Sequence, residues 1–323
     1  MKILKLCFIL LVTSLVFYSC KDDSVSTLEE QVTGLHTNGT IVPTSHSQVQ
    51  GTMFITDQDG NTINGITNSN VSATLTWGTL NPLDSNSNGN VTIVQGSSSK
   101  NVAAGVTMDY SGSMGSDQIT CMENACTTYV NNMGSSDITE IIKFSTDVEV
   151  VQAFTSNKTD LNNAILASWS GAGNSTALYQ SIYKATEDVV PQPGNQFIKA
   201  VIAFTDGMEN ASSVTRDQMI SQALTNGIPV YTVGLLYFPS STEAADLQNI
   251  ADTTGAFYFY SHPDSCTNLN NIYTTISGQL AGAYSITIDW QGTLPNAGTV
   301  VTATITTTYN SLTSSFSRSY LIP

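Results

Sequence analysis

The sequence predicts an α/β domain with a doubly wound, mostly parallel sheet, inserted in a β-sandwich built from strands at both ends of the chain. Three observations favour this fold. Apolar runs alternate with helical patterns over residues 101–281, which is typical of parallel sheets covered by helices on both faces. In the N-terminal flank, 49–100, apolar and polar residues alternate as in strands over 49–95, and 96–100 are predicted to be a short flexible joint; strand patterns return over 282–323. Neither flank has enough strands for a stable sandwich, so both must contribute.

The charge and composition restrict the possible partners. The 323-residue chain has 25 Asp and Glu against 10 Lys and Arg, a formal net charge of −15. This balance argues against nucleic-acid binding, because phosphates need a basic protein face. Charged residues make up only 11% of the chain, compared with about 25% in ordinary soluble domains. Ser, Thr, Asn and Gln must therefore provide most of the polar surface.

Residues 1–19 are predicted to be a signal peptide, because two early lysines precede an apolar run too short for a membrane-spanning helix. The run ends in Ser19-Cys20, which resembles the lipobox of bacterial lipoproteins, where cleavage before the cysteine leaves a lipidated thiol. Cys20 is thus the expected lipidation site, and an ordinary signal peptide is the alternative. Residues 21–23, Lys-Asp-Asp, resemble a surface-export tag, although a solvated linker explains them almost as well. We expect an outer membrane lipoprotein exposed at the bacterial surface.

The segment that follows the signal peptide contains few structural signals. Residues 20–48 are polar, with little periodicity, and are predicted to be the lipidated cysteine and a flexible tether. Asp59-Gly60 indicates a hairpin turn. Residues 84–89 place oxygen-bearing side chains at alternate positions, which resembles the first half of an EF-hand calcium loop. However, Gln95 stands where the bidentate Glu is needed, so a solvated turn is favoured and calcium binding is the alternative.

The central region is predicted to contain six strands and six helices. Residues 148–154 follow the strand at 138–144 without a helix between them, so this pair is expected to be antiparallel. Three further strands are expected after Gly282. The predicted central strands are 102–108, 138–144, 148–154, 197–204, 229–235 and 256–260; the helices are 116–133, 159–169, 176–189, 215–226, 241–253 and 265–280; the last strands are 284–290, 299–309 and 312–320.

Three oxygen-rich loops are expected at the carboxyl edge of the central sheet, where open α/β sheets bind ligands. The first begins where a buried strand ends, and it presents Asp109, Ser111 and Ser113 as Asp-x-Ser-x-Ser. The second places Thr176 at the start of a helix. The third ends a hydrophobic strand with Asp206, within Thr-Asp-Gly. Single helix caps would explain each residue separately, but they do not explain three such loops at one edge.

In this order the three loops resemble the von Willebrand factor type A family and its metal-ion-dependent adhesion site. The resemblance implies that Ser111, Ser113 and Thr176 contact the metal, and that Asp109 and Asp206 hold it through water or directly. All five groups are hard oxygen donors, which suit Mg²⁺, Mn²⁺ or Ca²⁺. With only two carboxylates, the ion stays net positive and attracts a further oxygen, ideally a carboxylate from a protein or glycan partner. An insertion in a β-sandwich also looks like the inserted domain of integrin β subunits.

The expected function is therefore non-catalytic binding of such a partner at the cell surface. An envelope scaffold or assembly factor that uses the domain for protein contacts is the alternative, and an extracellular metal-dependent hydrolase is the least favoured reading. Ser111 occupies the place where a phospho-aspartate phosphatase needs a second acid. Residues 109–118 contain no Lys for a phosphate-binding loop. The three histidines lack the spacing of a zinc site or a catalytic triad.

Three cysteines remain after the signal peptide and Cys20, an odd number in an oxidising compartment. Cys126 shares the apolar face of the first helix and is expected to be a buried small hydrophobe. Cys121 points roughly 110° away from that face. The family resemblance makes the first and last helices neighbours, which favours a Cys121–Cys266 disulfide. A Cys126–Cys266 bond is the alternative.

Overall fold

The structure is a computed structural model that describes residues 32–78, 86–96, 100–194, 196–263 and 265–323. The predicted signal peptide, Cys20 and the first two positions of the calcium-like loop, Asp84 and Ser85, lie outside the described residues. Asn86 to Gly89, the rest of that loop, belong to a strand. Among the helices of the described part, none is long and apolar enough to cross a membrane.

The central region forms a six-stranded sheet with the order β10-β9-β8-β5-β6-β7. Every pairing in it is parallel except that of β6 with β7, which is antiparallel as the sequence predicted. Its strands are β5 (Asn101–Asp109), β6 (Ile138–Phe144), β7 (Val148–Thr155), β8 (Phe197–Thr205), β9 (Val230–Leu235) and β10 (Tyr258–Ser261).

Six helices cover the two faces of this sheet. They are α1 (Ser116–Asn132), α2 (Lys158–Leu166), α3 (Leu178–Val189), α4 (Arg216–Asn226), α5 (Thr242–Thr254) and α6 (Cys266–Ala281). Apolar side chains of α1, α2 and α6 form one core cluster with the sheet, and those of α3, α4 and α5 form another on the opposite face. Strand β5 is buried along almost its whole length. Four of its side chains enter the first cluster and Ala103 enters the second. The sheet therefore exposes only its edges and its loop-bearing ends.

The flanking strands form one antiparallel seven-stranded sheet with the order β1-β2-β11-β4-β3-β12-β13. Its strands are β1 (His36–Ser45), β2 (Gln48–Thr56), β3 (Val71–Thr76), β4 (Asn86–Gln95), β11 (Tyr284–Trp290), β12 (Val300–Tyr309) and β13 (Leu312–Leu321). Strands from the two ends of the chain do share this sheet. The predicted β-sandwich is not confirmed, because β11 pairs with β2 on one side and β4 on the other, so both flanks interleave within one sheet. The sheet curls until its edges meet, where the Thr37 amide donates to Ser314 Oγ at 3.0 Å.

Strand β1 lies inside the segment that was predicted to be a flexible tether, so that prediction was wrong for residues 36–45. The strand is polar in sequence, yet Thr37, Asn38 and Thr40 are buried. Because these buried residues are polar, the strand lacks the alternation of apolar and polar residues by which strands are recognised in a sequence. Pairing with β2 satisfies the backbone groups on one side of the strand, and hydrogen bonds compensate the burial of the Asn38 side chain.

The Asp59-Gly60 turn is present, but it does not join two long strands. Gly60 has a φ of +84°, which glycine adopts without strain. The turn closes only a single antiparallel bridge between Thr56 and Thr62. Strand β2 pairs instead with β1 and β11.

Apolar and polar contacts join the curled sheet to the α/β region. Phe54 of β2 enters the α/β core and meets the Tyr231 ring edge-to-face at 5.5 Å. Arg318 of β13 donates to Asn38 Oδ1 at 2.6 Å and to the Asp252 carbonyl at 3.0 Å. The two parts of the described chain therefore share both a core contact and a polar network.

Candidate metal site

The candidate site lies at the carboxyl edge of the parallel sheet, where the sequence placed three loops. Asp109 is the last residue of β5, and Asp206 directly follows β8. Ser111 forms an isolated parallel bridge with Gly173, which ties the first loop to the second. Thr176 lies two residues before α3. Neighbouring parallel strands end at the same edge, so residues far apart in the chain meet here.

Asp109 is fully buried, and its carboxylate has two hydrogen-bond donors. The Ser111 amide donates to Oδ1 at 2.7 Å, and Thr205 Oγ1 donates to Oδ2 at 2.6 Å. Burial raises the pKa of Asp109 to about 6, the two donors oppose this shift, and the nearby Asp206 carboxylate adds to it. An ionised Asp109 would therefore be stabilised by a positive charge placed at this edge.

The two serines and Asp206 form a connected group of oxygens. Ser111 Oγ and Ser113 Oγ share a hydrogen bond of 3.1 Å, and Ser113 Oγ donates to Asp206 Oδ1 at 2.7 Å. A methyl group placed on Gly207 would lie 3.2 Å from Ser113 Oγ and 3.8 Å from Thr176 Oγ1. The Thr176 hydroxyl therefore faces the same glycine as Ser113. The structure thus brings together all five predicted oxygen donors, and their role as metal ligands stays a prediction.

Thr205 supports this site, although sequence reasoning gave it no role. Its hydroxyl donates to Asp109 and also accepts a hydrogen bond from the Gly207 amide at 3.1 Å. It therefore links the first and third loops. Thr205 is the Thr of the Thr-Asp-Gly motif, which could have indicated its role, but the sequence was interpreted there only as the end of a strand.

Glu209 and Asn210 hold the Thr176 loop and were also missed. The Thr176 amide donates to Asn210 Oδ1 at 2.9 Å, and the Asn210 amide donates to the Thr176 carbonyl at 3.0 Å. Glu209 Oε2 accepts from the amide of Tyr179, in the first turn of α3, at 2.8 Å. A carboxylate is favourable at a helix N-terminus. No local pattern predicts these contacts, because the partners are about 30 residues apart.

The donor set fits a hard divalent cation. Hydroxyl and carboxylate oxygens suit Mg²⁺, Mn²⁺ or Ca²⁺, whereas Cys and His would indicate a softer metal. With only two carboxylates, the site differs from metal clusters of three or more His, Cys, Asp or Glu, and the described ranges contain no such cluster. Ser111, Ser113, Thr176, Asp109 and Asp206 are the residues that would hold the ion.

The site is flanked by exposed apolar side chains on two adjacent loops. Met208, in the loop after β8, is 55% exposed, and Tyr237 and Phe238, in the loop after β9, are 61% and 71% exposed. Met208 also lines a pocket of about 210 Å³, together with Tyr179 and Gly207. Gly207 directly follows Asp206, so the pocket begins next to the oxygen cluster.

Cys121 of α1 and Cys266 of α6 are joined by a disulfide, with their Cα atoms 5.0 Å apart. This is the favoured pairing of the sequence analysis. Cys126 is fully buried and forms no disulfide with a described cysteine, and its Sγ lies 3.6 Å from the hydroxyl of Tyr273. The disulfide covalently links the first two turns of α1 to the start of α6.

Asp117, in the first turn of α1, is exposed and lies where the helix dipole favours an acid.

Comparison with known proteins identifies one matching family model and several solved structures with a similar fold. The family model of the von Willebrand factor type A domain matches residues 106–275. An aerotolerance-related membrane protein from Bacteroides fragilis is 19% identical, with a TM-score of 0.46 over 55% of this chain and 98% of that chain. Proximal thread matrix protein 1 of the mussel byssus, in a structure with a zinc-occupied MIDAS motif, is 16% identical, with a TM-score of 0.50.

That comparison covers 63% of this chain and 50% of the mussel protein, so this chain spans about half of its length. The vWF domain of the type V pili tip protein Mfa5 from Porphyromonas gingivalis is 12% identical, with a TM-score of 0.44 over 61% of this chain and 99% of that chain. At these identities the likenesses concern the fold alone. Among curated proteins, no sequence matches this chain.

Proposed function

Because the chain belongs to the von Willebrand factor type A domain family, we propose that it binds a protein or glycan partner through a divalent cation held by the five oxygen donors. Domains of this family commonly bind a divalent metal, and they are mostly adhesion or interaction modules rather than enzymes. The observation that carries the proposal is the convergence of Asp109, Ser111, Ser113, Thr176 and Asp206 from three loops onto one edge.

The natural ion in this proposal is Mg²⁺, with Mn²⁺ or Ca²⁺ as close substitutes. Three of the five donors are neutral hydroxyls, so a divalent ion held by them would keep part of its positive charge. A bound ion would supply a positive centre for a carboxylate of the partner. The side chains of the site position that centre at the edge of the sheet, where a large partner can reach it.

The apolar surroundings of the site support a macromolecular partner. Met208, Tyr237 and Phe238 are exposed on the loops beside the oxygen cluster. Exposed aromatic and Met side chains are enriched at protein–protein interfaces. A partner that offers a carboxylate to the ion could cover these side chains at the same time, which would remove apolar surface from water.

We place this module at the cell surface as a lipoprotein. The support for this part comes from the sequence alone, namely the apolar run that ends in Ser19-Cys20 and the Lys-Asp-Asp that follows. We expect Cys20→Ala to release the protein from the membrane fraction, as followed by fractionation of cells with detection of the protein. The variant would stay in that fraction only if another anchor exists. Retention of an uncleaved variant in the membrane would contradict lipidation at Cys20.

The binding proposal is tested first with the metal alone. Asp109→Ala removes a carboxylate of the site, and we expect it to abolish measurable Mg²⁺ binding in isothermal titration calorimetry. Asp217→Ala is the matched control, since Asp217 is an exposed acid in the first turn of α4. It changes the charge equally and should bind Mg²⁺ like the wild type. Unchanged Mg²⁺ binding by Asp109→Ala would overturn the metal site.

The adhesion step is tested with cells that display the protein. Their attachment to a panel of extracellular matrix proteins and acidic glycans should require Mg²⁺, and it should be lost with chelator and with Asp109→Ala, but not with Asp217→Ala. Attachment that survives chelation would contradict a cation-dependent mode. Intact Mg²⁺ binding without attachment to any member of the panel would favour the scaffold role instead.

A further inference from the structure

A second cleft lies at the opposite end of the parallel sheet from the metal site. It has a volume of about 440 Å³ and separates the first residues of β8 from strands β1, β2 and β11 of the curled sheet. Lys100, next to the start of β5, and Lys199, near the start of β8, both line it. These positions are at the amino ends of the parallel strands, whereas the five oxygen donors are at the carboxyl ends.

Positive charge is scarce in this protein, so its concentration here is notable. Of the 10 Lys and Arg in the chain, the three at positions 2, 5 and 21 lie outside the described residues, which leaves seven. Six of these have a hydrogen-bond or ion-pair partner. Within the described part of the chain, Lys100 has none. A half-buried ammonium without a partner is an unfavourable arrangement.

The neighbouring charges make this arrangement less favourable still. Burial lowers the pKa of both Lys100 and Lys199, and the positive charge of Lys100 lowers the pKa of Lys199 further. None of the described residues that line the cleft is an acid, although the chain contains 25 of them. The nearby Asp137 makes no ion pair with Lys100, and its carboxylate accepts from the backbone amides of Val102 and Gly134.

The cleft also offers neutral hydrogen-bonding groups. Its walls carry the hydroxyls of Thr44, Thr52, Ser285 and Thr287. Ser285 Oγ is buried and has no hydrogen-bond partner among the described residues. Buried hydroxyls are normally satisfied, so this one lacks a partner that a ligand oxygen would provide. A ligand with several acceptor oxygens and a negative charge would use both the ammonium groups and this hydroxyl.

We propose that this cleft binds a small oxyanion, in the form of a phosphate, sulfate or carboxylate group, between the side chains of Lys100 and Lys199. The oxyanion would offset the repulsion between the two ammonium groups and would replace the water that burial removes from them. The inference does not depend on the cation site, since the two sites occupy opposite ends of the sheet. The protein would then bind two ligands of opposite charge, a divalent cation at the metal site and an oxyanion in this cleft.

The test is calorimetric titration of the full-length chain with inorganic phosphate, with sulfate and with acetate. Chelator is present throughout, so that no anion can bind through a metal ion. We expect saturable binding of at least one of the three oxyanions at millimolar or lower concentration, and weaker binding at high salt. The same titration with chloride at equal ionic strength should show no saturation. The absence of saturable binding by all three oxyanions would overturn the proposal.

Three variants locate the binding. Lys100→Gln removes an ammonium that has no partner within the described ranges, so the fold should be unaffected and oxyanion affinity should fall at least ten-fold. Lys199→Gln tests the second ammonium, and circular dichroism checks the fold because Lys199 also donates to the Val190 carbonyl. Lys184→Gln is the control, since it removes one positive charge from a surface pair with Asp188. Equal affinity of Lys100→Gln and Lys184→Gln would refute the proposed site.

Discussion

The support that Thr205 gives to Asp109 can be tested by Thr205→Val, which removes one hydroxyl and keeps the shape of the side chain. Thr205 is fully buried, and its hydroxyl is one of two donors to the Asp109 carboxylate. The same oxygen is the acceptor of the Gly207 amide. With valine, the carboxylate keeps a single donor and the Gly207 amide loses its acceptor. Asp109 then loses one of the two hydrogen bonds that orient its carboxylate.

The magnitude follows from the type of hydrogen bond. A hydrogen bond to a charged group contributes about 1.5–3 kcal/mol, and loss of a residue that orients a metal ligand weakens metal affinity about 10- to 100-fold. We therefore expect Mg²⁺ affinity to fall by about one to two orders of magnitude. The free energy of unfolding without metal should fall by about 1–3 kcal/mol.

Thr107→Val is a matched control in the same strand as Asp109. Thr107 is as deeply buried as Thr205, but its hydroxyl has no hydrogen-bond partner among the residues that the structure describes. Valine at 107 should leave Mg²⁺ affinity unchanged and should leave stability equal or higher, since an unsatisfied hydroxyl is removed. Titration calorimetry with Mg²⁺ and urea denaturation measure both quantities. Equal Mg²⁺ affinities of the two variants would refute the positioning role of Thr205.

Three further predictions concern stability. Cys266→Ser opens a covalent link between residues 145 positions apart and should lower the free energy of unfolding by about 2–5 kcal/mol; a wild type whose urea midpoint ignores reductant would contradict this. Burial and a neighbouring acid of α3 raise the pKa of Glu140 to about 8. The folded protein therefore favours the protonated side chain, and this contribution to the free energy of unfolding is fully present below the pKa of the unfolded chain. It is lost as the pH rises from that value through about 8. Glu140→Gln should therefore gain stability over the wild type between pH 5 and pH 9, on the order of 3 kcal/mol, and a pH-independent difference would disprove the assignment. Gly105→Ala should destabilise by about 1–3 kcal/mol, because its Cβ would lie 2.9 Å from a side chain of α3, whereas Gly278→Ala meets open space and should not; equal urea midpoints would count against close packing of α3 on β5.

The elements of the α/β region could be predicted from local patterns because each of them buries one face. The strand at Ile138–Phe144 has the predicted bounds, and the antiparallel pairing of the next strand followed from the missing helix between them. The convergence of the three loops was also predictable, since parallel strands that are covered by helices must end at a common edge. Their oxygen-bearing side chains could therefore be selected before any distance was known.

Other features depend on partners that no local pattern identifies. The curled sheet brings β11 between β2 and β4, and strand alternation indicates which face is buried but not which strand is the neighbour. Polar strand β1 was missed for a related reason, since its burial is compensated by contacts with distant residues such as the carbonyl of Ala256.

The sequence by itself determined the order of helices and strands in the α/β region, the edge that carries the oxygen-bearing loops and the identity of the five candidate ligands. The order of elements and the position of the loops follow from periodicity and from the geometry common to all parallel sheets, whereas the choice of the five ligands follows from the resemblance to the von Willebrand factor type A family. Only the tertiary structure decided that Thr205 holds Asp109, that Glu209 and Asn210 hold the Thr176 loop, and that Lys100 and Lys199 line one cleft. The physical reason is that hydrogen bonds and charge repulsion act through space between residues about 30 to 100 positions apart in sequence, where the sequence contains no periodic signal.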